Sequence, residues 1–280
     1  MAAVTNYVLF SEFDADLRYK GASSVAITYG NMLMLLVITS IFLLIKHNYK
    51  NKYLYTLLLI SICINIFLWS ETETRGSLLG LMFCLTFILF TLKKGIKILF
   101  FLIFILASVG LSNDTFIDRF DNLYSSLIEQ DIGNKDSTNT NATINERILY
   151  YKFSYLQITE NPLLGIGPQN FQVYLENYID SKNLDVTARA HAHNEFLDIA
   201  VKYGLIPLFF FIMFVFIQLN YYIKNFNISS YSSIGIIIII SNLSNMLTQS
   251  QFAHHQPTIL FLLCLYVCNS MIANELNKKK

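Results

Sequence analysis

The chain alternates long apolar stretches with short polar breaks, apart from one extended polar excursion. Apolar runs near 25–45, 53–70, 76–92, 96–111, 204–223, 233–250 and 257–273 approach the length a helix needs to cross a hydrocarbon core of ~30 Å. This pattern predicts about seven transmembrane helices, the third and fourth near the lower limit and joined at Gly95 as a tight hairpin. Residues 112–203 form one polar loop. Within it Phe116, Phe120, Leu123 and Leu127 recur at helical spacing, as do Ile148, Tyr151, Tyr155 and Ile158 after a polar break from Asn134 to Asn145. Asn161 to Pro168 contains two glycines and two prolines, which fixes a turn, and a further loop helix is expected from near Pro168.

Composition makes a bilayer the main solvent: 54% of residues are hydrophobic, 14% are charged, and the mean hydropathy is +0.46. A net charge of +1 gives nucleic-acid binding no electrostatic support, and an aromatic content of 15% suits membrane interfaces better than base stacking. All four cysteines, Cys63, Cys84, Cys264 and Cys268, lie in apolar runs, so no disulfide framework is implied. The first 24 residues have no basic n-region and turn acidic at Glu12, Asp14 and Asp16, which argues against a cleaved secretory signal.

Orientation follows from lysine. Lys46, Lys50, Lys52, Lys93, Lys94, Lys97, Lys224 and Lys278 to Lys280 fall on one side of the predicted spans, whereas the short connections 70–76 and 251–257 carry only Arg75. The positive-inside rule then places the C-terminus in the cytoplasm and the loop 112–203 outside, in the periplasm of a bacterium with two membranes. The expected fold is all-α: a multi-pass inner-membrane protein with one large helical periplasmic loop. Its segments are an outward stretch 1–24, four spans in 25–111, the loop domain 112–203, three spans in 204–273 and a basic tail 274–280.

Several outward residues can carry chemistry. Arg75 lies at the outer end of the third span, within Ser70-Glu-Thr-Glu-Thr-Arg-Gly-Ser77. It is either a snorkelling arginine or a clamp whose planar fork matches the oxygens of a lipid diphosphate, with Gly76 letting the backbone approach that group. Glu71 and Glu73 can be general bases, a metal pair or charges that neutralise it, and the last is favoured because residues two apart do not share a helical face. His191-Ala-His193-Asn-Glu-Phe-Leu-Asp198 precedes the span at 204, where a side chain with an ordinary pKa of ~6.5 can cap and pack a helix or take a proton from a hydroxyl acceptor. Arg147 and Arg189 are further outward arginines, each readable as a surface charge or as a ligand. His191, His193, His254 and His255 match no familiar zinc spacing, and neither a metal nor a cofactor is expected.

The order of these features resembles the O-antigen ligase and polymerase superfamily over roughly residues 18–273. The likeness is carried by Arg18 to Asn31, Thr74-Arg-Gly-Ser77, Asn145-Glu-Arg147 leading to Asn161-Pro-Leu-Leu-Gly-Ile-Gly167, and Ala190-His-Ala-His-Asn-Glu-Phe-Leu197. The family's ligase motif, His, then Asn, Ser or Gln, nine residues, Gly, two residues, Gly, is matched by His193, Asn194 and Gly204, with Pro207 in place of the last glycine. The resemblance implies a metal-independent, inverting, membrane-embedded glycosyltransferase of GT-C-like architecture. Its donor would be a polyprenyl-diphosphate-linked glycan and its acceptor a lipid A-core sugar, another glycan chain or a protein hydroxyl. Arg75 and Arg147 would hold the diphosphate and His193 would serve the attacking hydroxyl, with Arg189, His191, Asn194 and Gly76 contacting substrate. Relatives usually have about twelve spans, so the chain is expected to correspond to the C-terminal half of such an enzyme. A transporter is disfavoured, because these spans carry almost no charge between their ends.

Overall fold

The computed structural model describes residues 26–46, 52–72, 74, 76–91, 139–184 and 186–278. Regular structure among the described residues is helical: α1 (Ala26–Lys46), α2 (Lys52–Glu71), α3 (Gly76–Thr91), α4 (Asn139–Glu160), α5 (Asn170–Ser181), α6 (Glu195–Tyr203), α7 (Leu205–Lys224), α8 (Ser230–Met246), a 3-10 turn (Gln251–Ala253) and α9 (His255–Asn277). The chain divides into two compact units, one from Met1–Ile96 and Ile212–Lys280, the other Lys97–Phe211.

Four segments, Ala26–Leu44, Lys52–Glu71, Leu205–Lys224 and His255–Asn277, are long and apolar enough to cross a bilayer, so the chain is a helical membrane protein. Two other expected spans are shorter helices. The 76–92 run folds as α3, 16 residues or about 24 Å, and the 233–250 run folds as α8, 17 residues that start three positions and end four positions earlier than expected. The expected span 96–111, the Gly95 turn, the segment 1–24 and the repeat from Phe116 to Leu127 lie outside the described residues.

In the first unit α8 is the central helix, packed on α1, α3 and α9, and its middle turns from Gly235 to Ile239 are buried. Small residues permit this crowding. A side chain at Gly235 would strike the ring of Tyr222, and one at Gly80 of α3 would come within 3.3 Å of the Ser241 carbonyl. Two polar residues inside α8 bond back to their own helix: Asn242 Nδ2 donates to the Ile238 carbonyl at 2.8 Å, and Ser244 Oγ donates to Ile240 at 2.7 Å.

The second unit has its own apolar core. Leu149, Tyr150 and Phe153 of α4 pack with Phe171, Leu175 and Ile179 of α5, and with Ile166, Ala192 and Val201. The buried face of α4 is therefore rotated from the sequence expectation, for Tyr155 is 67% exposed. Two rows of large apolar residues run along this helix, and the one that faces Phe171 and Ile179 is covered. The helix also starts at Asn139, inside the polar stretch expected to break it, because threonine and asparagine are weak but admissible helix formers. The next helix begins at Asn170 and not Pro168, since Gly167 has φ +87° and the turn runs on through Gln169.

Candidate active site

The 161–167 turn forms the base on which the site rests. Its Ile166 and Gly167 N–H groups donate to the carbonyls of Val201 and Lys202 at 2.8 and 2.9 Å, capturing acceptors that the last turn of α6 leaves unpaired. The Leu205 N–H returns a bond to the Pro162 carbonyl at 2.8 Å. Gly204, at φ +92°, ends α6 where a Cβ would meet the Leu163–Leu164 peptide. The glycines and proline that looked like a helix breaker thus form a clamp on the C-terminus of α6.

The N-terminus of α6 carries the histidines. Asn194 caps it, its Oδ1 accepting the Leu197 N–H at 3.1 Å. Asp198, buried one turn on, accepts the Ala192 N–H at 2.8 Å through Oδ1 and pairs through Oδ2 with Lys202 Nζ at 2.7 Å. Lys202 also lies 5.3 Å from the centre of the Phe171 ring. Acidic residues in the first turn and a lysine in the last suit the helix dipole. Burial pushes the Asp198 carboxyl above its ordinary value, opposed by the Lys202 charge, the Lys202 bond and the Ala192 bond.

This framework holds His193 at φ +54°, in the left-handed region, where histidine is several-fold enriched among the residues that enter it. Its half-buried imidazole stacks on the buried Tyr150 ring, centroids 5.9 Å apart and planes within 11°, and meets the His191 ring edge-on at 4.6 Å. The Tyr151 hydroxyl reaches the His193 carbonyl at 3.5 Å. Tyr150 Oη donates to the Thr187 carbonyl. Burial, and to a lesser degree the charge of Glu146, push its phenol up to about 12, against the opposing pull of the Arg189 charge and its hydrogen bonds.

Of the residues singled out in the sequence, the second unit brings together His191, His193, Asn194 and Arg189, with Arg147 on an adjacent surface. Arg147 is half-buried on α4, three and four positions before Tyr150 and Tyr151, and so one turn from both. Arg189 is exposed beside the Tyr150 hydroxyl. Sequence reasoning missed Tyr150, Tyr151 and the Asp198–Lys202 pair, although the four-residue spacing of the latter is a readable signal.

The remaining candidates belong to the first unit. Arg75 and Glu73 lie outside the described residues, and Glu71 is exposed at the end of α2. The turn between α2 and α3 is braced by bonds from Trp69 Nε1 to Ser77 Oγ at 2.7 Å, from Ser77 Oγ to the Thr74 carbonyl at 3.1 Å and from Thr72 Oγ1 to Thr74 Oγ1 at 2.8 Å. A Cβ at Gly76 would lie 2.8 Å from Thr248 Oγ1, so this glycine allows the start of α3 to approach the turn after α8 closely. His254 is held below its ordinary pKa by burial and by the neighbouring His255.

These features define a helical membrane protein with an inserted helical unit that presents paired histidines just before a membrane helix. Residues 70–212 match the family model for O-antigen ligase, and the chain belongs to that family. The match takes in Arg75, Arg147, Arg189, His191, His193 and Asn194. The chain is also 25% identical over 281 residues to an uncharacterized protein of Haemophilus influenzae, an alignment covering 95% of this chain and 70% of the relative.

Proposed function

We propose that the chain is an O-antigen ligase-like glycan transferase of the inner membrane, working on the periplasmic face in lipopolysaccharide synthesis. The observation that carries this reading is the constrained His193, held at the capped N-terminus of α6 and stacked on Tyr150 within a family-matched region. In this reading His193 takes the proton of an acceptor hydroxyl as its oxygen forms a bond to the sugar carbon. The bond from that carbon to the polyprenyl diphosphate breaks, the leaving diphosphate keeps the electron pair, and the configuration inverts. Arg147 and Arg75 stabilise the diphosphate, because charge that grows on a leaving group is best met by fixed cations. Arg189, His191, Asn194 and Gly76 line the substrate path, and no metal takes part.

The same reading has seven spans, with residues 96–111 as the fourth, and the loop 112–203 outside. A cysteine placed at Asn139 should react with an impermeant thiol reagent in spheroplasts while one at Asn48 should not. The reverse pattern would overturn the orientation. Pro207, standing where the ligase motif has its second glycine, favours a second reading as a glycan polymerase or protein O-oligosaccharyltransferase. It sits in the first turn of α7, where proline fits the helix.

The deciding experiment is complementation of a bacterium lacking its own ligase, scoring polymer joined to lipid A-core. Transfer by the native chain, lost in well-inserted His193→Ala and Arg75→Ala variants, supports the ligase reading. A stably inserted native chain that transfers nothing to lipid A-core, but extends glycan or modifies protein, selects the second.

A further inference from the structure

The surface of the second unit beside α7 is apolar for no reason internal to that unit. Leu163 is 61% and Leu164 80% exposed at the tip of the 161–167 turn. A soluble turn ordinarily fills such positions with polar residues, and here neither leucine is among the core residues beneath. The tip is tied to the first residues of α7 twice over: the Leu205 N–H donates to the Pro162 carbonyl, and the Leu163–Leu164 peptide packs where Gly204 lacks a side chain. Leu205 opens a helix long and apolar enough to span a bilayer, few of whose residues are buried by protein. Tyr203, Leu205 and Ile206 beside the tip are each more than two-fifths exposed, which extends the lipid-facing surface of α7 onto the turn. A tyrosine at this level suits the boundary between headgroups and acyl chains.

We propose that Leu163 and Leu164 insert into the leaflet that α7 enters, so that the Pro162–Leu164 turn is a membrane-interface anchor for the second unit. The partner is the acyl region of the bilayer, and the argument rests on α7 being a membrane helix, not on the reaction the chain performs. A leucine pair at the end of a rigid turn adds a second point of attachment to the bilayer beside α7.

The test uses the full chain with Cys63, Cys84, Cys264 and Cys268 replaced by alanine, reconstituted in phosphatidylethanolamine and phosphatidylglycerol vesicles. A nitroxide is attached at Leu164→Cys, at Leu163→Cys in a second variant, and at Glu176→Cys on the polar face of α5 as the aqueous reference. The expected result is a ratio of oxygen to water-soluble nickel-chelate accessibility severalfold higher at 163 and 164 than at 176. Both leucines are exposed, so neither label disturbs the core, and helicity measured on the same samples checks folding. Nickel accessibility at both positions equal to that at 176 would overturn the proposal. So would low accessibility to both reagents together with spin broadening that grows with protein density, which would mean that a second copy covers the turn.

Discussion

The imidazole of His193 lies nearly parallel to the phenol ring of Tyr150, 5.9 Å away between centroids. The tyrosine is fully buried and anchored at its far end to the Thr187 carbonyl, so the histidine rests on a fixed plate rather than on a mobile side chain. Replacing Tyr150 by phenylalanine keeps the plate and removes the hydroxyl's hydrogen bonds to Thr187 and Arg189, at a cost of about 1 kcal/mol each. Replacing it by alanine should cost about 3–5 kcal/mol and reduce transfer by more than the phenylalanine variant does, with thermal unfolding in detergent and the complementation assay as readouts.

The backbone of His193 separates chemistry from conformation. Asparagine tolerates the left-handed region, so His193→Asn should unfold within about 1 kcal/mol of the native chain while abolishing transfer. His193→Val, β-branched at the same φ, should be less stable than the asparagine variant. Equal stability of the two would show that the φ of +54° is not enforced.

Asp198 and Lys202 are buried partners, and Asp198 also holds the Ala192 N–H. Removing only the lysine, as in Lys202→Met, leaves a buried carboxylate and should destabilise by about 3–5 kcal/mol. The folded carboxyl is raised above its ordinary value of 3.8, so the folded state binds this proton more tightly than the unfolded one. Its contribution is full below the ordinary value and declines as pH rises through the raised value. Asp198→Asn should remove that decline from a plot of melting temperature against pH.

Tyr150 gives the same sign at the alkaline end. With its phenol raised from 10.0 to about 12, its contribution is complete below 10.0 and falls away as pH rises through about 12. The Tyr150→Phe variant should lack that component of alkaline unfolding.

Glycine is required at 204 for two reasons, φ and space. Gly204→Ala adds a Cβ against the Leu163–Leu164 peptide at a positive φ, and should cost more than about 2 kcal/mol. Gly167→Ala shares the positive φ but meets only Asn170 Nδ2 at 3.3 Å, and should cost less. Melting the two variants side by side checks the order.

Much of this was readable in the sequence, and the failures have physical causes. The polarity of Glu71 to Arg75 marked the break between α2 and α3 to within a residue at each end, because charge does not fit a hydrocarbon core. The histidine run was found from its place before an apolar span. Which face of α4 is buried was not legible, since Tyr151 and Tyr155 compete with Tyr150 and Phe153 at the same helical spacing, and only packing on α5 decides between them. The stack of His193 on Tyr150 joins residues 43 positions apart, and no local pattern encodes such a contact. The role of Gly165 and Gly167 was half seen: they announced a turn, but not that its N–H groups would grip the end of α6.

Only Gly204 separates α6 from α7, and α6 is nine residues, about 14 Å, long. The histidine therefore travels with the membrane helix as a mark on a short ruler, its distance from Leu205 set by one helix rather than by the many residues that precede it. Insertions or deletions ahead of α4 leave that spacing between His193 and Leu205 unchanged.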